Sequence, residues 1–161
     1  MFVKSLVVAF VTLNAAPQVM AAEPPASIAH KAILTLATAQ QIAAQARKIA
    51  AEKGWPCALA IVDDGGWPIL TIRMDAAPVV AGIELAQGKA RTSALFKRPS
   101  ADLENAINGG RQAAITASLP MMKGARPIML EGQVVGAIGI SADTPAHDDE
   151  IALAAVSAVQ P

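Results

Sequence analysis

The sequence predicts an α/β (α+β) domain in which helices pack against a mostly antiparallel sheet of about five strands. Three observations favour this fold class. Apolar residues recur at helical spacing in several segments, Val- and Ile-rich runs come in pairs joined by glycine turns, and both kinds of element alternate along one chain of 161 residues. The expected order is helix, hairpin, two helices, strand, hairpin and helix.

The first segment of the chain, residues 1–21, is predicted to be an export signal. A lone positive charge at Lys4 precedes an uncharged apolar run, and small residues suit cleavage after Ala21. A membrane anchor is disfavoured, because the apolar run is far shorter than the roughly 20 residues that span a bilayer. We therefore expect a periplasmic or secreted protein that has no membrane span after processing.

Charge and cysteine content limit the possible functions. Removing Lys4 from the 13 basic residues leaves 12 against 13 acidic ones, a formal charge of −1 that offers no basic surface to nucleic acid. Cys57 is the only cysteine, so an internal disulfide is impossible. Because Cys57 heads an apolar run, we expect a buried, inert thiol, with a reactive or intermolecular thiol as the alternative.

The folded domain is predicted to begin after a flexible lead-in. Residues 22–33 contain two prolines and no periodic apolar pattern, so the domain is assigned to residues 34–161. Its first helix has an alanine-rich apolar face, with Thr35 as the N-cap and Gly54 as the stop.

A hairpin and a long helix follow. Residues 57–62 predict a buried strand, residues 63–66 a glycine turn and residues 68–74 the returning strand. Residues 79–96 predict the long helix, in which two glycines suit close approach by another backbone.

The middle of the chain is harder to assign. Ser100 is expected to cap a short helix over residues 101–108. Residues 111–124 are apolar without a clear period and contain a proline, and we assign them a short strand followed by a loop.

The final third has stronger signals. Residues 127–130 and 133–141 predict a second hairpin, rich in Val and Ile. Thr144 and Pro145 then predict the start of the last helix, because threonine caps helices and proline is tolerated in the first turn.

Few residues suggest catalysis. The chain lacks a Cys-x-x-Cys-His attachment site, a His-x-x-x-His spacing and a Gly-x-Ser-x-Gly elbow, so no catalytic residue is assigned. Acid–base chemistry by Asp63, Asp64 or Asp75 is an alternative, although carboxylates beside glycine turns are commonly plain turn residues.

Soft and cationic side chains cluster around the irregular segment. Thioethers can pack against a macrocycle or ligate iron, and Lys or Arg can pair with carboxylates. The alternative, which composition alone favours, is core filling by methionine with a solvated basic rim. The same two interpretations, a binding residue or a solvated cation, apply to Lys89 and Arg91 on the long helix. The cluster comprises Met121, Met122, Lys123, Arg126 and Met129.

Four ordered blocks of sequence resemble the GlcG/HbpS-like family, which also includes the C-terminal domain of some PduO-type corrinoid adenosyltransferases. The resemblance covers residues 34–159. The blocks are LTLATAQQIAAQA, AIVDDGGWPILTIRMDAA, ELAQGKARTSALFKRPSADLENAINGG and RPIMLEGQVVGAIGISADTPAHDDEIALAAV.

The resemblance implies a three-layer, profilin-like domain with a five-stranded antiparallel sheet between helices, assembled into a homo-oligomer. Some relatives bind haem non-covalently, and others are linked to cobalamin or glycolate metabolism. Together with the export signal, this predicts an exported protein that binds haem, with cobalamin as the second candidate tetrapyrrole, in haem sensing, storage or degradation. The binding residues would be Met121, Met122, Lys123, Arg126, Lys89 and Arg91. The alternative is a cofactor-free accessory subunit of an exported enzyme or complex.

His147 is the candidate metal ligand. It is predicted to lie in the first turn of the last helix, where the positive helix end disfavours protonation while neighbouring carboxylates oppose that effect. A solvent-facing polar residue is the commoner occupant of such a position. No axial ligand is carried over from the family, because residues 123–126 and 141–143 depart from its glycine-rich pattern.

Overall fold

The computed structural model describes residues 31–159. The predicted export signal, residues 22–30 of the predicted lead-in and His30 lie outside the described residues. Residues 31–35 have no regular structure, and Ala32 and Leu34 among them pack against the core.

The first helix, α1 (Leu36–Lys53), begins and ends at the predicted caps. The Thr35 hydroxyl accepts a hydrogen bond from the Thr38 amide at 3.2 Å. Gly54 has a φ of +68°, the left-handed conformation that glycine adopts without steric cost and that ends the helix. Both cap predictions are confirmed, and the buried stripe of α1 is mainly alanine, which permits close packing.

Four strands form one antiparallel sheet in the order β2-β1-β4-β3. Each predicted hairpin is present, and the extended β4 lies between β1 and β3 at the centre. The strands are β1 (Ala58–Asp63), β2 (Pro68–Arg73), β3 (Ala125–Leu130) and β4 (Gln133–Ser141).

The predicted fifth strand is wrong. The segment assigned to it contains a 3₁₀ helix, Gln112–Ala117, and none of that helix's residues is buried. The physical reason is that an apolar run without period-2 alternation cannot present one face to a core, and its alanines favour a helical turn. Ser118, with a φ of +55°, ends the 3₁₀ helix.

Helices cover both faces of the sheet. On one face, α1 and α4 (Pro145–Ser157) pack against a core that includes Leu59, Ile138 and Ile140. On the other face, α2 (Gly82–Phe96) packs its alanines against Val62 and Ala137. The alternation of side chains along β1 and β4 therefore builds a three-layer α+β domain, as predicted apart from the strand number.

Gly139 explains how closely α2 approaches the sheet. A Cβ atom at this position would lie 2.7 Å from the Ala90 amide nitrogen and closer still to the Ala86 carbonyl oxygen. Gly139 therefore permits close approach by the α2 backbone, which a larger residue would block.

The short helix α3 (Ser100–Asn108) lacks its predicted cap. Ser100 is the first helical residue, and its buried hydroxyl instead accepts a hydrogen bond from the Ala125 amide at 2.9 Å, which ties α3 to β3. Thr144 does cap α4, with its hydroxyl 3.2 Å from the His147 amide. Within residues 31–159, no helix has the length and apolarity needed to cross a bilayer.

Candidate functional site

A cavity of about 130 Å³ lies where α2, the end of β4 and the start of α4 meet. It brings together two of the predicted binding residues, Lys89 and Met122. The other lining residues are Val79, Leu85, Ser141, Ala142, Asp143, Thr144, Pro145 and Asp148.

The innermost part of this cavity holds a buried ion pair. Lys89 Nζ lies 2.6 Å from Asp148 Oδ2 and donates a further hydrogen bond to the Ile140 carbonyl at 3.0 Å. The two side chains are only 2% and 6% exposed. The amide of Ala142 donates to the other oxygen of Asp148 at 2.5 Å. Two hydrogens of the Lys89 ammonium are thus already committed to groups of this chain.

Local backbone geometry makes room for this pair. Gly124 has a φ of +113°, and a Cβ there would lie 2.5 Å from the Cβ of Asp148 and 3.1 Å from Lys89 Nζ. Burial raises the pKa of Asp148, and the hydrogen bonds from Lys89 and Ala142 act against that rise. The carboxylate therefore depends on its two donors to remain charged.

Cys57 lies in the core beside this region and is fully buried. Burial, with a smaller contribution from the charge of Asp148, raises the pKa of its thiol to about 12. The prediction of a buried, inert thiol is confirmed.

The structure places the residues of the predicted methionine and cation cluster in different surroundings. Met121 is buried, whereas Met122 is 40% exposed at the cavity. The amide of Lys123 donates to Glu104 Oε2 at 2.7 Å. Arg126 makes two hydrogen bonds to Asp149 of α4, at 3.1 and 2.7 Å.

Arg91 is engaged elsewhere on α2. Its guanidinium lies 5.4 Å from the ring centroid of Trp67 and donates to the Gly66 carbonyl at 3.3 Å. Trp67, in the turn between β1 and β2, is 66% exposed. Arg91 is not among the residues that line the cavity with Lys89 and Met122.

His147 lies in the first turn of α4, as predicted. Its Nδ1 is 2.7 Å from Asp143 Oδ1, and its ring stacks on Trp55 with centroids 3.6 Å apart and planes 8° from parallel. The hydrogen bond from His147 lowers the pKa of Asp143. The ring does not line the cavity, but its partner Asp143 does.

Sequence reasoning missed the partners of these residues. Asp143 could have been found, because a side chain four residues before His147 lies on the same side of a helix start. Trp55 and Asp148 could not, because their contacts join residues that are distant in sequence. Within residues 31–159 no group of three or more His, Cys, Asp or Glu residues could hold a metal ion, so any metal here would rely on few protein ligands.

A larger open groove, of about 570 Å³, lies at the other end of the sheet. Lys31, Lys97 and Met129 line it, and Lys31 is ion-paired with Asp64. No histidine or cysteine is among its lining residues, and the thioether of Met129 is the lining group of a type that ligates haem iron.

The structure resembles several solved proteins. PduOC, crystallised as a haem complex, superimposes with a TM-score of 0.72 and 25% identity over 80% of this chain and 96% of that chain. A double mutant of Streptomyces reticuli HbpS gives 0.76 and 25% over 88% and 99%. ORFY of Klebsiella pneumoniae gives 0.74 and 28% over 83% and 96%.

Sequence comparison agrees with the structural one. Protein GlcG of Escherichia coli K12 is 39% identical over 113 residues, which are 69% of this chain and 83% of GlcG. An uncharacterised 15.0 kDa protein of Citrobacter freundii is 30% identical over 122 residues, 73% of this chain and 85% of that protein. The family model described as haem-degrading protein HbpS-like matches residues 34–157. The chain is therefore a member of the HbpS-like family, as its four sequence blocks predicted.

Proposed function

We propose that this chain is an exported protein that binds haem, or another tetrapyrrole, non-covalently, in haem sensing, storage or degradation. The observation that carries the proposal is the likeness to PduOC, because that relative was crystallised with haem and shares 25% identity over 80% of this chain. The haem-degrading description of the family supports the same ligand. Cobalamin is the second candidate.

The donor groups of the described residues fit an iron porphyrin. His147 supplies an imidazole whose Nδ1 is occupied by Asp143, and Met122 supplies a part-exposed thioether at the cavity that Asp143 also lines. Imidazole and thioether are both common axial ligands of haem iron. When bound, haem would supply redox or oxygen chemistry, while the protein supplies the ligand and the surrounding side chains.

The size of the cavity limits how a tetrapyrrole could be held. At about 130 Å³ it is smaller than the roughly 300–1,000 Å³ of pockets that enclose cofactors. A single chain would therefore admit only an edge of the macrocycle there and leave much of it uncovered. We accordingly propose a homo-oligomer, in which a second copy covers the exposed part, and light scattering that returned only the monomer mass at all concentrations would contradict it.

Hemin titration of the purified protein tests the proposal. We expect a saturable shift of the Soret band, and we expect His147→Ala to alter the Soret and charge-transfer bands. His30→Ala is the matched control, because it removes the other histidine of the chain. Met122→Ala tests the thioether separately and avoids the buried Met121. No saturable change with hemin and none with cobalamin would overturn the proposal.

Export is tested independently of the ligand. The predicted signal supports release into the periplasm or the medium, and N-terminal sequencing of the protein from that fraction should begin at Ala22. Recovery of the chain uncleaved in the cytoplasm would contradict this part of the proposal.

A second candidate function is that of a cofactor-free accessory subunit. The observation that favours it is Trp67, 66% exposed beside Arg91, since tryptophan and arginine dominate the energetics of protein interfaces. Pull-down from periplasmic extract separates the two functions. A stoichiometric partner that is retained by the wild type without haem and lost in Trp67→Ala would favour the accessory role.

A further inference from the structure

Two contacts hold the imidazole of His147, and a third holds its backbone. Asp143 Oδ1 lies 2.7 Å from Nδ1, the indole of Trp55 covers one face at a centroid distance of 3.6 Å, and the His147 amide donates to Thr144 Oγ1. Asp143 and Thr144 belong to the turn before α4, whereas Trp55 follows α1. Two separate parts of the chain therefore determine where the ring lies and how its plane is oriented.

The contact with Asp143 also determines which nitrogen carries the proton. An ionised carboxylate can only accept hydrogen bonds, so at neutral pH the Nδ1 atom must be the donor. In the neutral ring the lone pair then belongs to Nε2. Among the hydrogen bonds of residues 31–159, none involves Nε2.

The indole that covers the ring is itself supported. Lys53 Nζ lies 4.8 Å from the centroid of Trp55 and 2.7 Å from Glu150 Oε1 of α4. Trp55 also packs against the apolar core through its partly buried side chain. This support distinguishes His147 from an ordinary i,i+4 pair on a helix surface, where the imidazole would be free to rotate.

We propose that Asp143 is a positioning residue that holds His147 as the Nδ1–H tautomer and so leaves Nε2 available to ligate the iron of a bound tetrapyrrole. The arrangement has the carboxylate–histidine–metal form in which the outer carboxylate orients the ligand and raises its basicity. This inference rests on the proposed haem binding for its iron. The tautomer itself is a property of the protein without ligand.

Nitrogen-15 NMR of the full chain without haem tests the tautomer directly. We expect the Nδ1–H form for His147 in the wild type, with His30→Gln used to assign the signals. Asp143→Ala should restore the Nε2–H form that a free neutral imidazole favours in water. Asp143→Asn should retain Nδ1–H, because its amide oxygen still accepts the hydrogen bond.

Hemin affinity and reduction potential form the second measurement. Loss of an outer carboxylate typically weakens metal binding by roughly 10–100-fold, and we expect Asp143→Ala to fall in that range and Asp143→Asn to lose less. The reduction potential of the bound haem should rise in Asp143→Ala, because a less basic imidazole stabilises ferric iron less. Asp75→Ala, which also removes an exposed carboxylate, is the control and should match the wild type.

The outcomes separate this inference from the proposed function. A wild-type His147 in the Nε2–H form, or an Asp143→Ala variant with unchanged hemin affinity and potential, would overturn the positioning role. If the wild type binds no hemin, the assignment of iron to Nε2 fails, and if it binds no cobalamin either, the proposed function fails as well. The NMR result would still uphold or overturn the tautomer held by Asp143.

Discussion

Two neighbouring carboxylates of α4 form ion pairs of similar length in very different surroundings. Asp148 is 2.6 Å from Lys89 of α2, and its pair is 2% and 6% exposed; Asp149 is 2.7 Å from Arg126 of β3, and both members are 22% exposed. The distances differ by too little to matter. The pairs also differ in their cation, and Arg126 makes two hydrogen bonds to its carboxylate where Lys89 makes one, but the largest difference between them is burial.

Burial changes what each charge loses when its partner is removed. In the partly exposed pair, water can reach a carboxylate that has lost its partner, so the loss should cost closer to the about 0–1 kcal/mol of exposed pairs than to the cost in a buried pair. In the buried pair, a lone charge is left where desolvation is costly, so removal of one partner costs far more than the pair itself contributes. Asp148 and Asp149 should thus respond to very different degrees to the loss of their cations.

The largest expected effect follows from removing each cation in turn. Lys89→Met should lower the free energy of unfolding by about 3–5 kcal/mol, because it leaves Asp148 buried and unpaired. Arg126→Met, the matched variant, should cost less, about 1 kcal/mol, because water reaches its partly exposed partner Asp149. Urea unfolding followed by far-ultraviolet circular dichroism measures both, and similar losses would contradict the comparison.

Removing both buried charges provides the control. Lys89→Met combined with Asp148→Leu should recover much of the loss seen in Lys89→Met, since apolar side chains can replace a buried pair. Recovery should be incomplete, because the Ala142 amide also loses its acceptor and an unsatisfied buried donor costs about 1–3 kcal/mol. A double variant no more stable than Lys89→Met would show that the cost lies in lost packing and not in the unpaired charge.

The pH dependence of stability at Cys57 also reflects burial, together with the charge of Asp148. Burial first, and the charge of Asp148 second, raise the pKa of its thiol from 9.0 to about 12. Between these values the unfolded chain loses the thiol proton while the folded chain keeps it, so the free energy of unfolding falls as pH rises, by about 1.4 kcal/mol at about pH 10. Cys57→Ala should lack this loss when its stability is compared with that of the wild type at about pH 8 and about pH 10.

The two carboxylates should affect this pH dependence differently. Asp148→Asn removes a charge that acts on the thiol, so the folded-state pKa should fall and the loss of stability should level off at a lower pH in a titration carried above about pH 10. Asp149→Asn should leave it unchanged, because Asp149 is not among the groups that shift this thiol. Equal pH profiles for the two variants would show that Asp148 does not act on Cys57.

Local signals predicted much of this fold. The bounds of β4 were predicted correctly because glycine turns and Val–Ile alternation act over a few residues, and α1 was predicted by its caps for the same reason. The strand predicted in the segment containing Gln112–Ala117 was wrong, because an apolar run without a period does not distinguish strand from helix. The predicted number of strands was therefore wrong because of the one segment that has no local pattern.

The candidate site was less predictable than the fold. The place of His147 in the first turn of α4 followed from Thr144 and Pro145. The role of Lys89 did not, because its partner Asp148 lies 59 residues away, and nothing near Lys89 distinguishes a buried ion pair from a surface cation. The packing of α2 and α4 around the sheet decides which charged side chains pair. No short stretch of the sequence contains that information.

Salt should produce the smallest effect and the clearest contrast between the two pairs. The Debye length falls to about 3 Å at about 1 M salt, so charges that contact water are largely screened whereas buried charges are not. The destabilisation caused by Arg126→Met should therefore shrink toward zero in about 1 M sodium chloride. That caused by Lys89→Met should persist, since the screening ions do not enter the protein around Asp148. Each variant is compared with the wild type at the same salt concentration, which cancels the general effect of salt on apolar burial. If the two losses shrank by the same fraction, both pairs would be solvated alike, and burial would not be what distinguishes Asp148 from Asp149.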